Sequence, residues 1–91
     1  MLIGKVVGSV VATRKNEKLT GNKFLIIEAL HGCEPKRVVA VDNIGAGSGE
    51  IVLVALGSAA RASLDNPQIP VDAMVVGIVD SPDKITIYSE A

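Results

Sequence analysis

The sequence is short of the residues on which chemistry is usually built. Of its 91 residues only Phe24 and Tyr88 are aromatic, tryptophan is missing, and histidine and cysteine occur once each, as His31 and Cys33. A lone cysteine excludes an internal disulfide. His31 and Cys33 would supply two of the four ligands a closed zinc site needs, with no C-x-x-C or H-x-x-x-H beside them, so we read a loop histidine and an idle thiol, and no metal site. Nine Lys and Arg stand against ten Asp and Glu, interspersed along the chain. Nothing in that balance steers a polyanion or an anionic membrane, and the cluster Arg14, Lys15, Glu17, Lys18 reads as a solvated turn. No stretch long enough to span a bilayer is free of charge and glycine, and no basic region leads into an apolar signal core. The expectation is a soluble, cytoplasmic protein.

What is present is aliphatic. The chain is 48% hydrophobic with almost no aromatics, so its core must be built from Val, Ile, Leu and Ala, a mixture that favours strands. Its length predicts one domain, residues 1–91. A domain of this size buries roughly 60 to 65% of the surface its unfolded chain exposes, so this apolar content leaves hydrophobic surface outside the core. Burial against a partner is the simplest use for it.

Residues 2–13 (LIGKVVGSVVAT) alternate as one long strand, with Leu2, Gly4, Val6, Gly8, Val10 and Ala12 on the inward face. Glycines on that face allow the sharp coiling a small closed barrel needs. A polar turn at 16–22 leads to a second strand at 23–30, and the break at 31–36 (HGCEPK) precedes a third at 37–42. Residues 51–56 (IVLVAL) and 73–79 (AMVVGIV) are apolar almost throughout and are expected to be covered on both faces, one by the barrel interior and the other by the segment 58–64, a neighbouring subunit or both. Ser58 is a plausible N-cap for a short helix over 59–64, ended by Asn66 and Pro67, which could plug one end of a barrel. Residues 84–88 (KITIY) alternate as a last strand exposed on one face. The fold predicted is all-β with one short helix: a small five-stranded OB-like barrel plus a C-terminal edge strand.

The most chemical-looking segment is the loop of Asp42, Asn43, Ile44, Gly45, Ala46, Gly47, Ser48, Gly49 and Glu50. Successive backbone N–H groups of a glycine turn can cradle a phosphate. A P-loop, however, needs Lys and Ser or Thr opening a helix, and a dinucleotide fingerprint needs G-x-G-x-x-G between strand and helix. Here the spacing is G-x-G-x-G and a strand follows, so we read a tight loop where backbones crowd together, with no cofactor. Asp42 and Glu50 lack a histidine or cysteine nearby that would make them a catalytic or metal pair, which leaves capping or pairing within the loop. Ser58 lies at a strand-to-helix junction without the G-x-S-x-G elbow, and no enzyme is expected. OB-like barrels that bind single-stranded nucleic acid use aromatic platforms and a basic groove, which two aromatics and a slightly negative charge do not supply. A small-molecule or oligonucleotide binding module is the alternative reading.

Several pieces stand in a set order and spacing: Gly4-Lys5-Val6-Val7-Gly8 with Val10 to Thr13, the series Lys15, Leu19, Gly21, Lys23 and Leu25, and Ala40-Val41-Asp42 leading into Ile44-Gly45-Ala46-Gly47. Gly49-Glu50 with Val52-Leu53-Val54, then Gly57-Ser58-Ala59-Ala60-Arg61, Pro70-Val71-Asp72-Ala73 and Val75 to Asp80 complete the pattern. Together they resemble one family, the vertex proteins of bacterial microcompartments of the EutN/CcmL type. The break at 31–36 is short compared with many members. The resemblance implies a homo-pentamer of five-stranded barrels at the five-fold corners of a polyhedral shell, in the cytoplasm, beside hexagonal shell tiles. It also implies that loop 42–50 lies at the subunit interface near the pentamer axis, and that Arg61, Asp72 and Asp80 are candidate contacts between subunits.

Overall fold

Valine, isoleucine and leucine in short runs divided by glycine and proline give five strands and one short helix in the computed structural model: β1 (Leu2–Val10), β2 (Lys23–Ala29), β3 (Arg37–Asp42), β4 (Ile51–Leu56), α1 (Ser58–Ala62) and β5 (Ala73–Val79). The structure describes residues 1–12, 17–19, 21–30, 32, 35–62 and 70–88, without the side chains of residues 61 and 62. Arg14, Lys15, His31, Cys33, Leu64, Asn66, Pro67 and the Arg61 side chain lie outside that description.

The strands close into a barrel in the order β1-β2-β3-β5-β4. All neighbours are antiparallel except β3 and β5, whose parallel seam is a single pair, Val41 with Met74. Leu2, Val6, Leu25, Ile27, Ala40, Val52, Val54, Ala73 and Val75 fill the interior. No aromatic side chain is among them, as the composition requires.

Coiling into so small a barrel is achieved on β1 by a glycine and a bulge. A Cβ built on Gly4 would lie 2.5 Å from Ile27 Cγ2 and 2.7 Å from the Glu28 carbonyl oxygen, so β2 approaches β1 here only because no side chain is present. Past Val6 the register shifts: Val6 faces Ile27 and Gly8 faces Ile26, which leaves Val7 as the extra residue. It points outward, 45% exposed. The bulge reverses the alternation predicted for β1, so Val10 is exposed instead of buried and the strand ends there, short of residue 13. A second bulge sits where Leu53 faces Gly77 and Val54 faces Val75, turning Val76 outward.

The helix begins at Ser58, one residue earlier than expected, after Gly57 at φ +64°. It does not plug the barrel. Its fully buried Ala60 packs with Val41, Val71 and Met74, with Leu19 and Phe24 against them. Val41 and Met74 alternate with inward-facing neighbours, so this second cluster lies outside the β3–β5 seam. The helix thus covers the outer face of the seam that has fewest backbone pairs. The expected last strand is also absent from the barrel: Pro82–Lys84 forms a 3-10 turn and residues 85–88 join no ladder. Alternation marks them as strand, but a strand needs a partner, and among the described residues they pair with no edge.

Gly4→Ala should destabilise the fold by about 1–3 kcal/mol, since β2 must move to admit the methyl group. Gly77→Ala, whose Cβ would meet Leu53 Cδ1 at 3.4 Å, an ordinary contact, should cost far less. Urea unfolding of the two variants at matched protein concentration measures the difference.

Candidate functional site

β3 and β4 are separated in the sheet by β5, so the connection between them must cross the end of β5. Pairing of Lys23 with Asp42, Phe24 with Val10 and Ile51 with Val79 places all five strand ends on the same side. Loop 42–50 therefore spans one mouth of the barrel. Its side chains show how: Ala46 is buried and belongs to the interior cluster, so the loop itself, not the helix, closes this end.

Asp42 holds it there. The residue continues the inward alternation of β3 and is 1% exposed, the one buried charged side chain among the described residues. Its Oδ1 accepts the N–H of Ile44 at 3.0 Å and its Oδ2 the N–H of Ala46 at 2.9 Å. A buried carboxylate is costly unless such donors surround it, and here both oxygens are used on the turn that follows their own strand. At the far end of the loop Glu50 accepts the N–H of Gly47, and the Glu50 N–H returns to the Gly47 carbonyl at 3.1 Å. The two carboxylates thus act within the loop, the role expected of them from sequence.

The loop is also stitched to β1 beside its bulge. Val6 donates to the Glu50 carbonyl and accepts from the Gly49 N–H, both at 2.9 Å. Glycine is required for different reasons along the loop. Gly45 and Gly49 have φ of +92° and +82°, where a Cβ is strained. Gly47 has no such backbone, and a Cβ there would approach only the Glu50 Oε1, at 3.2 Å. Asn43, Ile44, Gly45, Ser48, Gly49 and Glu50 are exposed and Gly47 is half-buried, so the outer surface of the loop faces solvent in a single chain.

The remaining candidate residues do not converge on the loop as a reacting group. Ser58 is exposed at the start of α1. Asp72 is exposed and its carbonyl accepts the Gly57 N–H at 2.7 Å, fixing the entry to the helix, and Asp80 is exposed just past β5. Among the described residues no group of three or more His, Cys, Asp and Glu is placed to hold a metal ion, and no helix is long and apolar enough to cross a membrane. Phe24 is half-buried and packs against the cluster beneath α1. What the sequence reading missed is Val7: it looked like one more strand residue, and only its register reveals a bulge.

Comparison with known proteins gives these features a context. Residues 1–80 match the family described as ethanolamine utilisation protein EutN/carboxysome. The microcompartment shell vertex protein GrpN of Rhodospirillum rubrum is 46% identical over 88 residues, covering 93% of this chain and 99% of that protein. The solved structure of that organism's pentameric GrpN shell protein superposes with a TM-score of 0.77, at 46% identity, covering 89% of this chain and 95% of that one. The structure of Gloeobacter violaceus CcmL superposes with a TM-score of 0.83, at 38% identity, covering 97% and 91%.

Asp42→Ala should cost about 1–3 kcal/mol, because it leaves two backbone N–H groups unpaired at the barrel mouth. Hydrogen exchange should speed up at the amides of Ile44 and Ala46 before it does in β2. Asp42→Asn, which keeps one acceptor oxygen, should fall between the variant and the parent.

Proposed function

The chain belongs to the EutN/CcmL family, and on that footing we infer that its function is structural: it forms cyclic pentamers that cap the five-fold vertices of a bacterial microcompartment shell in the cytoplasm. The observation that carries this is the nearly full-length match, in sequence and in barrel geometry, to a pentameric shell protein. The physical reading is consistent with it. A sheet of hexagonally packed tiles is flat, and five-fold units introduce the curvature that closes it. The chain's task is accordingly geometric, with hexagonal shell tiles as its neighbours and no reaction of its own.

A head-to-tail ring uses two different patches of each subunit, which suits a closed barrel with exposed valines on separate walls: Val7 on β1, Val39 on β3 and Val76 on β5. We place loop 42–50 toward the ring axis. Its carboxylates and its stitches to Val6 make it stiff, and its glycines keep it low enough for five copies to approach one another. Arg61, Asp72 and Asp80 are proposed at contacts between subunits, where an exposed pair would add only about 0–1 kcal/mol.

Native mass spectrometry or light scattering should give a mass five times that of the 9.4 kDa chain. A stable monomer at micromolar concentration would overturn the assignment. Gly47→Val tests the place of the loop. Since Gly47 has no left-handed backbone and a Cβ there meets only the end of the flexible Glu50 side chain, at 3.2 Å, which can shift, the circular dichroism spectrum should stay unchanged. Crowding at the axis should raise the concentration for half-dissociation by about tenfold or more. An unchanged pentamer would remove the loop from the axis.

A further inference from the structure

We propose that residues 84–88 act as an exchanged strand: in the assembled ring each chain lays this segment along the free edge of β1, residues 7–12, of its neighbour. The proposal rests on the ring described above and names one of its contacts.

Two incomplete structures in the same chain motivate it. The segment KITIY has the alternation of a strand, yet residues 85–88 join no ladder, and they carry Ile87 and Tyr88 into solvent, the latter 83% exposed. Leaving Ile87 51% exposed in a chain this apolar is costly unless something covers it. On the other side, β1 pairs with β4 only from Leu2 to Lys5, and Val6 bonds to loop 42–50. From the bulge onward β1 still pairs with β2, but among the described residues its opposite edge has no ladder partner. An unpaired edge of that kind accepts an added strand.

The acceptor edge has the right surface. Val10 and Val11 are exposed, the latter at 91%, and with Ala12, Phe24 and Leu25 they line a groove of about 300 Å³. Apolar side chains at alternate positions of an added strand would enter it, which matches Ile85 and Ile87 on one side of the segment and Tyr88 with Lys84 and Thr86 on the other. A second unpaired stretch, residues 37–40 of β3 on the β5 side, is a poorer acceptor because it lies at the opposite end of the barrel and begins with the exposed Arg37–Glu28 ion pair.

Topology supplies the reach. β5 ends at the same mouth at which the distal half of β1 projects. Rotation about a ring axis leaves height along that axis unchanged, so a segment leaving one mouth arrives at the mouth of the next subunit. Five extended residues span about 17 Å, enough to run along five of the six residues of the free edge.

Cysteine trapping tests this directly. In a Cys33→Ser background, Val11→Cys and Ile87→Cys are combined, and the oxidised protein is run on a denaturing gel without reductant. Linkage between neighbours should give a ladder that extends to five chains. A ladder ending at two chains, or linked monomers alone, would overturn the exchange, the second by showing that the segment folds back on its own β1. A pentamer by light scattering with no cross-link would overturn it while leaving the vertex assignment intact. If the parent chain is itself monomeric, both readings fall. Independently, Ile87→Asp with Tyr88→Asp should leave the circular dichroism spectrum unchanged and raise the concentration for half-dissociation about ten- to a hundredfold. No change in that concentration would overturn the proposal.

Discussion

Most of what is distinctive in this molecule depends on the Asp42 carboxylate. Five short strands of aliphatic residues can close into a barrel, but the chain must pass from β3 to β4 over the end of β5, and an open mouth there would wet the core. By accepting the N–H groups of Ile44 and Ala46, Asp42 turns the chain inward so that Ala46 fills the opening. Burying a carboxylate costs several kcal/mol, and charge-assisted hydrogen bonds return about 1.5–3 kcal/mol each. The two terms are of similar size, so the gain is less in stability than in a single, fixed loop conformation.

That fixed loop changes what its glycines mean. A flexible Gly-x-Gly-x-Gly segment would invite a ligand-binding reading. Here each end is tied by a carboxylate, Val6 is tied to its far side, and the glycines divide their roles. Gly45 and Gly49 permit a left-handed backbone, whereas Gly47 keeps the outer surface low. Such a loop is suited to being approached by another rigid surface. The chain belongs to a family represented by a pentameric shell protein with the same barrel, and the proposed ring would supply that surface in copies of the chain.

The barrel carries a second constraint, the lack of aromatic side chains to fill space. Small interiors demand tight coiling, and the chain obtains it by omitting a side chain at Gly4 and by inserting Val7 and Val76 as bulge residues. Each bulge has an outward consequence, because the inserted valine is turned to the surface. Coiling the core and turning apolar side chains to the surface are thus one structural event. Apolar residues beyond what one small barrel can bury then have somewhere to go.

How much of this was legible beforehand follows from which interactions are local. The strands 37–42, 51–56 and 73–79 could be read to the residue, because runs of β-branched residues bounded by glycine, proline and charge carry their own signal. The lack of partner residues likewise removed the chemistry from Asp42 and Glu50 without any coordinates. Tertiary structure alone decided three things. Register is a property of two strands, so the bulge at Val7 and the exposure of Val10 were invisible in the alternation of β1. Strand order, which no single segment encodes, sent the loop across the mouth; the helix, expected to plug one end or to cover an outer strand face, does the second. Residues 84–88 were read as a strand from their pattern alone, and a pattern does not create a partner. By itself the sequence determined which residues prefer extended backbone; the fold decided which faces meet, because that depends on long-range pairing.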